Sequence, residues 1–242
     1  MTAKNGIDGV KSIIAYTNGK SGWINKSKPF LFFVTTFTVT IYFLSPSMNN
    51  SFTPQQINKL GNTLVYLANN VGELNKTKIL KLLYLIEEKS IKKFGYPFFG
   101  FNFQLWKFGP VLKDIYIDLS EESPQILAKY ITRADYDSKL FVPITEFNDD
   151  EFSDNYMFLL DSIVYFAHHK NAGDLVNFTH GENSLWKLSA LKNGVYEQLE
   201  AKELNSTEYL IDFSLLFDDN TFQKDRYESA VDNLAFINHF KS

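Results

Sequence analysis

The stretch from Lys76 to Tyr116, KTKILKLLYLIEEKSIKKFGYPFFGFNFQLWKFGPVLKDIY, constrains this chain more than any other. Ile79, Leu82, Leu83, Ile86 and Phe94 recur at spacings of three, four and eight, which predicts one apolar stripe on a helix. Asn75 or Thr77 is positioned to cap its start, and Gly95 followed by Pro97 to end it. On this pattern Lys78, Lys81, Glu88, Lys89 and Lys92 fall largely on the opposite, polar side. Lys76, Lys78 and Lys81 also lie near the positive end of the helix dipole. Acids there would stabilise the helix by about 0.3–1 kcal/mol, so these lysines read either as solvated side chains or as a basic face kept for an acidic partner.

The Phe98–Trp106 segment, FFGFNFQLW, alternates Phe101, Phe103 and Leu105 with Asn102, Gln104 and Trp106, the pattern of a half-buried strand. Gly109-Pro110 is expected to end that strand, with Pro110 in the first turn of a following helix whose apolar side is Val111, Ile115 and Leu119. Nothing in the stretch marks hydrolytic or redox chemistry. It presents lysines and aromatics, which suits binding a macromolecule.

Composition limits the alternatives. A chain of 242 residues can bury a substantial core, and 16% aromatic residues, 23 of them Phe, argue against disorder. With no Cys, disulfides, thiolate nucleophiles and cysteine-ligated metals are excluded, which fits a reducing cytoplasm. Net charge is -4; residues 1–47 hold five Lys and one Asp, +4, which leaves -8 for the remainder. Such an acidic domain is not expected to bind nucleic acids generally, because phosphate neutralisation supplies most of that affinity. Within it, Val71 to Lys113 carries eight lysines against three acids, a local polarity that would steer a partner of mixed charge.

Three motifs carry a resemblance. Lys81-Leu82-Leu83-Tyr84-Leu85, then Leu105-Trp106-Lys107-Phe108-Gly109-Pro110-Val111, then the element from Thr179-His180 to Trp186 resemble the Panacea domain found in SocA-like antitoxins and some phage-associated proteins. The middle motif is specific, the helix motif weak alone, and the last one intermediate. Leu105 replaces a usual small residue, and the gap from His180 to Trp186 is longer than usual. The resemblance spans about Phe52 to Leu191. It implies a non-catalytic protein that neutralises a cognate toxin, encoded by an adjacent gene, through direct protein–protein binding. A phage-associated or proteolytic-adaptor role is the alternative within the same class. No cofactor is implied. Lys78, Lys81, Tyr84, Trp106 and Lys107 are the candidate toxin-binding residues. Gly109, Pro110, His180 and Trp186 are candidate structural residues, with Trp186 and Leu105 expected inside and Lys107 reaching solvent.

The fold expected is α+β and predominantly helical: a compact helical domain with a small sheet or hairpin, from about residue 48 to 242. Ser51-Phe52-Thr53-Pro54 signals a helix start, with helix expected over Thr53–Asn70. A hairpin is expected over Ile131–Ile144, helices over Asp149–His169, Ala172–Phe178 and Ser184–Leu191, a strand over Leu204–Phe217 and a helix over Asp225–Phe240. Residues 1–47 stand apart. Phe30–Leu44, FLFFVTTFTVTIYFL, is uncharged but short of the roughly 20 residues a membrane helix needs. An over-long start ahead of Met48 is the first reading, a membrane anchor the second and a strand the third.

An enzyme centred on His180, with Glu182 and Asp174, is the competing class. G-x-S-x-G, P-loop and G-x-G-x-x-G signatures are absent. A turn histidine bonded to backbone near the Ser184 helix is the simpler reading. His168-His169 are adjacent rather than i, i+4, and the Asp149-Asp150-Glu151 cluster is expected at a helix N-terminus.

Overall fold

A computed structural model of the protein describes residues 52–135, 138–218 and 221–239, together with the strands at 14–17 and 20–23. The chain divides into two units, residues 1–50 and 51–242. In the first, β1 (Ile14–Thr17) pairs antiparallel with β2 (Lys20–Trp23), Ile14 opposite Trp23. Phe30–Leu44, the expected anchor or strand, lies outside the described residues. Among the described residues no helix is long and apolar enough to cross a membrane.

The second unit is built around one helix. α1 (Pro54–Asn70) opens at the anticipated start signal, with a capping box there: Gln56 N donates to Thr53 Oγ1 at 3.2 Å, and Thr53 N donates back to Gln56 Oε1 at 3.0 Å. α2 (Lys76–Phe94) is capped by Asn75, whose Oδ1 accepts from Lys78 N at 2.9 Å, and ends at Gly95 in the left-handed region with φ 70°. Ile79, Leu82, Leu83 and Ile86 are fully buried, each worth roughly 1.5–3 kcal/mol of transfer free energy.

The polar side of α2, however, is covered as well. α4 (Asp154–Ala167), α5 (Ala172–Thr179), α8 (Phe222–His239) and a strand hairpin pack around it, so Lys78, Lys81 and Glu87 are buried too. The expectation that Lys78 and Lys81 lie on a solvent-facing side is therefore corrected. Helical periodicity finds the stripe that is most apolar, not how many neighbours a central helix has.

The sheet is small and antiparallel, in the order β4 (Gly109–Val111), β3 (Gln104–Trp106), β7 (Ser206–Leu210). Only the last three residues of the expected Phe98–Trp106 strand form ladder bonds. Upstream, side chains take the backbone instead. Phe99 N and Gly100 N donate to the Glu87 carboxylate at 2.7 and 2.9 Å. The Phe98 and Phe99 carbonyls accept from Lys59 Nζ at 2.7 Å and Gln56 Nε2 at 3.2 Å.

Gly109-Pro110 also departs from expectation. It forms β4 rather than a helix start, with Gln104 opposite Val111 and Trp106 opposite Gly109. β4 is an edge strand, where a proline forfeits no ladder bond, and the next helix, α3 (Lys113–Asp118), begins after it.

The remaining elements largely follow their patterns. β5 (Ile131–Arg133) and β6 (Phe141–Pro143) form the expected hairpin. α4 starts after Ser153, so Asp149-Asp150-Glu151 precedes the helix rather than opening it; Glu151 Oε1 instead accepts from Asn58 Nδ2 at 2.8 Å. α6 (Leu185–Lys192) is capped by Ser184, and a short α7 (Tyr196–Glu200) follows that no pattern announced. The Leu204–Phe217 strand breaks after β7 into a 3-10 turn at Phe213–Leu216. There Asp212 Oδ1 accepts from Ser214 N at 3.0 Å, a local cap that competes with strand pairing.

Candidate functional site

The β3–β4 hairpin turns over two residues, Lys107 and Phe108, and Gly109 closes the turn at φ 92°. A β-carbon at Gly109 would stand 2.9 Å from Lys81 Nζ and 3.1 Å from Thr179 Oγ1, so glycine is required both by its backbone angle and by space. Three carbonyls of this hairpin are held by side chains from elsewhere. Trp186 Nε1 on α6 donates to the Trp106 carbonyl at 3.0 Å. His180, just beyond α5, points Nε2 at the Lys107 carbonyl at 3.0 Å. Lys81 Nζ on α2 donates to the Pro110 carbonyl at 2.9 Å.

A carbonyl only accepts, so His180 Nε2 carries the proton. The His180 ring stacks on Trp186 at 3.7 Å between centroids, and its Nδ1 lies 3.2 Å from a Glu200 oxygen. Burial pushes its pKa below the usual range, against the opposing pull of Glu200 and the Lys107 carbonyl. His180 does bond to backbone, as expected of a turn histidine, but to the hairpin and not to the Ser184 helix. All three sequence motifs thus meet at one turn, through hydrogen bonds that span up to 80 residues of sequence.

Residues 79–187 match the family model of SocA-like antitoxins, the Panacea domain. The match covers 109 of the 242 residues and holds all three motifs. Comparison with curated proteins and with solved structures gave no match.

Lys81 stands out within the matched segment. It is 2% exposed, and burial lowers its pKa from 10.5 to about 7. Its side chain nevertheless contributes to the lining of a cleft of about 300 Å³ walled by α2, the hairpin, α3 and the start of β7. Trp106 and Lys107 line the same cleft, so the structure brings three of the five predicted binding residues together. Lys107 is partly exposed, with Nζ donating to Asn205 Oδ1 at 3.3 Å. Trp106 is half-buried, packed edge-on against Tyr116 at 4.9 Å, with Nε1 donating to Gln104 Oε1 at 2.9 Å.

The other two predicted residues are elsewhere. Lys78 turns away, donating to the Gly72 carbonyl at 3.3 Å beside a separate cavity that His168 and His169 also line. Tyr84 is 1% exposed between Phe103 and Phe213, which corrects its assignment as a contact residue. Its hydroxyl meets no partner in hydrogen-bond geometry, and burial, with the Glu88 charge nearby, pushes its pKa well up.

Two further residues, outside the five predicted, contribute to the cleft. Lys76 lies over the Tyr116 ring at 4.2 Å and donates to Ser120 Oγ at 2.9 Å. Phe108, at the hairpin tip, is 62% exposed. A large apolar residue beside a turn glycine was the available signal for Phe108; a basic residue at the first turn of a helix was that for Lys76.

The imagined acid–base group does not assemble. Asp174 Oδ2 accepts from Asn171 N at 2.8 Å in a capping box, and Glu182 pairs with Lys187 at 2.6 Å. His168 and His169 lie past the end of α4 with their Nδ1 atoms 3.4 Å apart, and among the described residues no cluster of three or more His, Asp or Glu is set to hold a metal.

Proposed function

We propose that this protein is an antitoxin that works in the cytoplasm and neutralises a cognate toxin by binding it directly, with residues 48–242 as the working domain. The observation that carries the reading is the cleft inside a Panacea domain: a basic, aromatic recess with an exposed phenylalanine at its lip. A half-buried aromatic cluster ringed by cations is the kind of surface at which a few residues supply most of the binding energy. The hairpin is anchored from behind, so its tip is preorganised and binding costs little additional ordering. The overall acidity of the domain disfavours nucleic acid as the ligand.

The test is growth of host cells that express the adjacent open reading frame, with and without the full chain. Rescue of a growth arrest supports the reading. The combined variant Lys76→Glu, Lys107→Glu and Phe108→Asp alters only cleft residues with solvent access and should abolish rescue while keeping the wild-type circular dichroism spectrum. Unaltered rescue by that variant removes the cleft as the contact, and a harmless neighbour removes the antitoxin reading.

A further inference from the structure

Lys76, Lys81 and Lys107 line one cleft, and among the described residues none of the three forms an ion pair. Their partners are neutral: the Ser120 hydroxyl, the Pro110 carbonyl and the Asn205 side-chain carbonyl. No Asp or Glu lines the recess. Elsewhere the same unit matches lysine with carboxylate, as in Lys113–Glu208 at 3.0 Å on the adjoining strand. Buried charge is ordinarily paired, so a buried lysine in the wall of an acid-free cleft, its amine bonded to a carbonyl, is an incomplete arrangement.

We propose that the cleft seats a carboxylate side chain of the protein partner, an Asp or Glu flanked by an aromatic or apolar residue, with the carboxylate on Lys81 and the flanking residue against Trp106 and Phe108. This rests on the partner-binding reading above and names the chemistry of the contact. A volume of about 300 Å³ is the lower end for ligand pockets and fits one or two side chains. Lysine is a point charge and makes no bidentate demand, so a single carboxylate oxygen suffices. The amine of Lys81, held near pH 7 by burial alone, is the group whose protonation an incoming anion would favour. The other titratable groups lining the cleft are Lys76, Lys107 and Tyr116, with His180 near the amine and Glu200 beyond it, against the His180 ring.

The experiment titrates the full chain with 3-phenylpropionate, 3-phenylpropanamide and inorganic phosphate, following the Lys81 amine by side-chain NMR across pH 5–10. A fragment of this size binds on the order of millimolar if it uses the site well. The carboxylate should raise the Lys81 pKa by at least one unit at saturation, with the isosteric amide leaving it in place. Lys76→Gln with Lys107→Gln, which spares the buried amine and its bond, should weaken carboxylate binding several-fold. Equal responses to carboxylate and amide, no response to either, or binding of phosphate in preference would overturn the proposal. Because the probe assay uses no toxin, its failure alongside successful growth rescue sinks the carboxylate assignment and leaves partner binding standing.

Discussion

Replacing Gly109 by alanine should be among the most damaging single-methyl changes available to this protein, and the damage should run through Lys81. The added carbon would adopt φ 92°, costing about 1–2 kcal/mol for a non-glycine residue. It would also stand 2.9 Å from the Lys81 amine, closer than real β-carbons approach, and 3.1 Å from Thr179 Oγ1. The amine must retreat and surrender its 2.9 Å bond to the Pro110 carbonyl, a bond to an ionisable group worth roughly 1.5–3 kcal/mol. The sum is about 2.5–5 kcal/mol, a large fraction of the stability of an ordinary domain. A double-mutant cycle isolates the second part. In a Lys81→Met background the bond is already absent, so Gly109→Ala should cost only the backbone part, roughly 1–2 kcal/mol. Chemical unfolding monitored by circular dichroism supplies all four stabilities. A coupling energy below about 0.5 kcal/mol, the scatter expected of independent sites, would refute the view that the glycine exists to admit the lysine.

Lys81→Met should also change how stability responds to pH. The folded pKa of about 7 lies below the ordinary 10.5, so the unfolded chain binds more protons in between and the wild type gains stability as pH rises through that window. The variant lacks this gain, and its unfolding free energy relative to wild type should fall by up to about 3 kcal/mol between pH 7 and 9.5; parallel curves would contradict it. Glu87 works in the opposite direction. Burial raises its pKa from 4.5 to about 7, so its contribution is fully present below about pH 4.5 and is lost as pH rises through 7. Glu87→Gln should flatten the stability profile across that range, and should cost about 1–3 kcal/mol because its amide nitrogen cannot accept from Phe99 or Gly100. Tyr84→Phe removes a buried hydroxyl that makes no well-formed hydrogen bond, with Glu88 nearby, and should raise stability by up to about 1 kcal/mol in calorimetry, with growth rescue unchanged. Loss of rescue by a stable Tyr84→Phe protein would return that residue to the interface.

What the sequence makes legible is whatever local chemistry dictates. The Thr53 and Asn75 caps, the Gly95 stop, the 131–144 hairpin and the apolar stripe of α2 all depend on neighbours a few residues apart. The order of the three motifs was legible as well, and with it the resemblance to the Panacea domain. Their meeting point was not, because Trp186 to Trp106, His180 to Lys107 and Lys81 to Pro110 are hydrogen bonds to backbone carbonyls, and a carbonyl leaves no mark on the identity of its residue. For the same reason Glu87 was invisible as the organiser of Phe99 and Gly100, and the Phe98–Phe103 segment read as strand from its alternation. Lys81 was misplaced because a lysine on a helix reads as polar surface. The counter-signal was its position within Ile79-Leu80-Lys81-Leu82-Leu83, where apolar neighbours on both sides leave no wide polar face.

The hairpin tip also has a consequence for how such a protein can change over time. Lys107 and Phe108 are fixed through their main chain and through the residues beside them: the grip of His180 falls on a carbonyl, and those of Trp186 and Lys81 fall on neighbouring carbonyls. The side chains they display take no part in the grip. What positions the tip is thereby separated from what the tip says to a partner, so substitutions at 107 and 108 can rewrite recognition while the frame beneath them stays as it is.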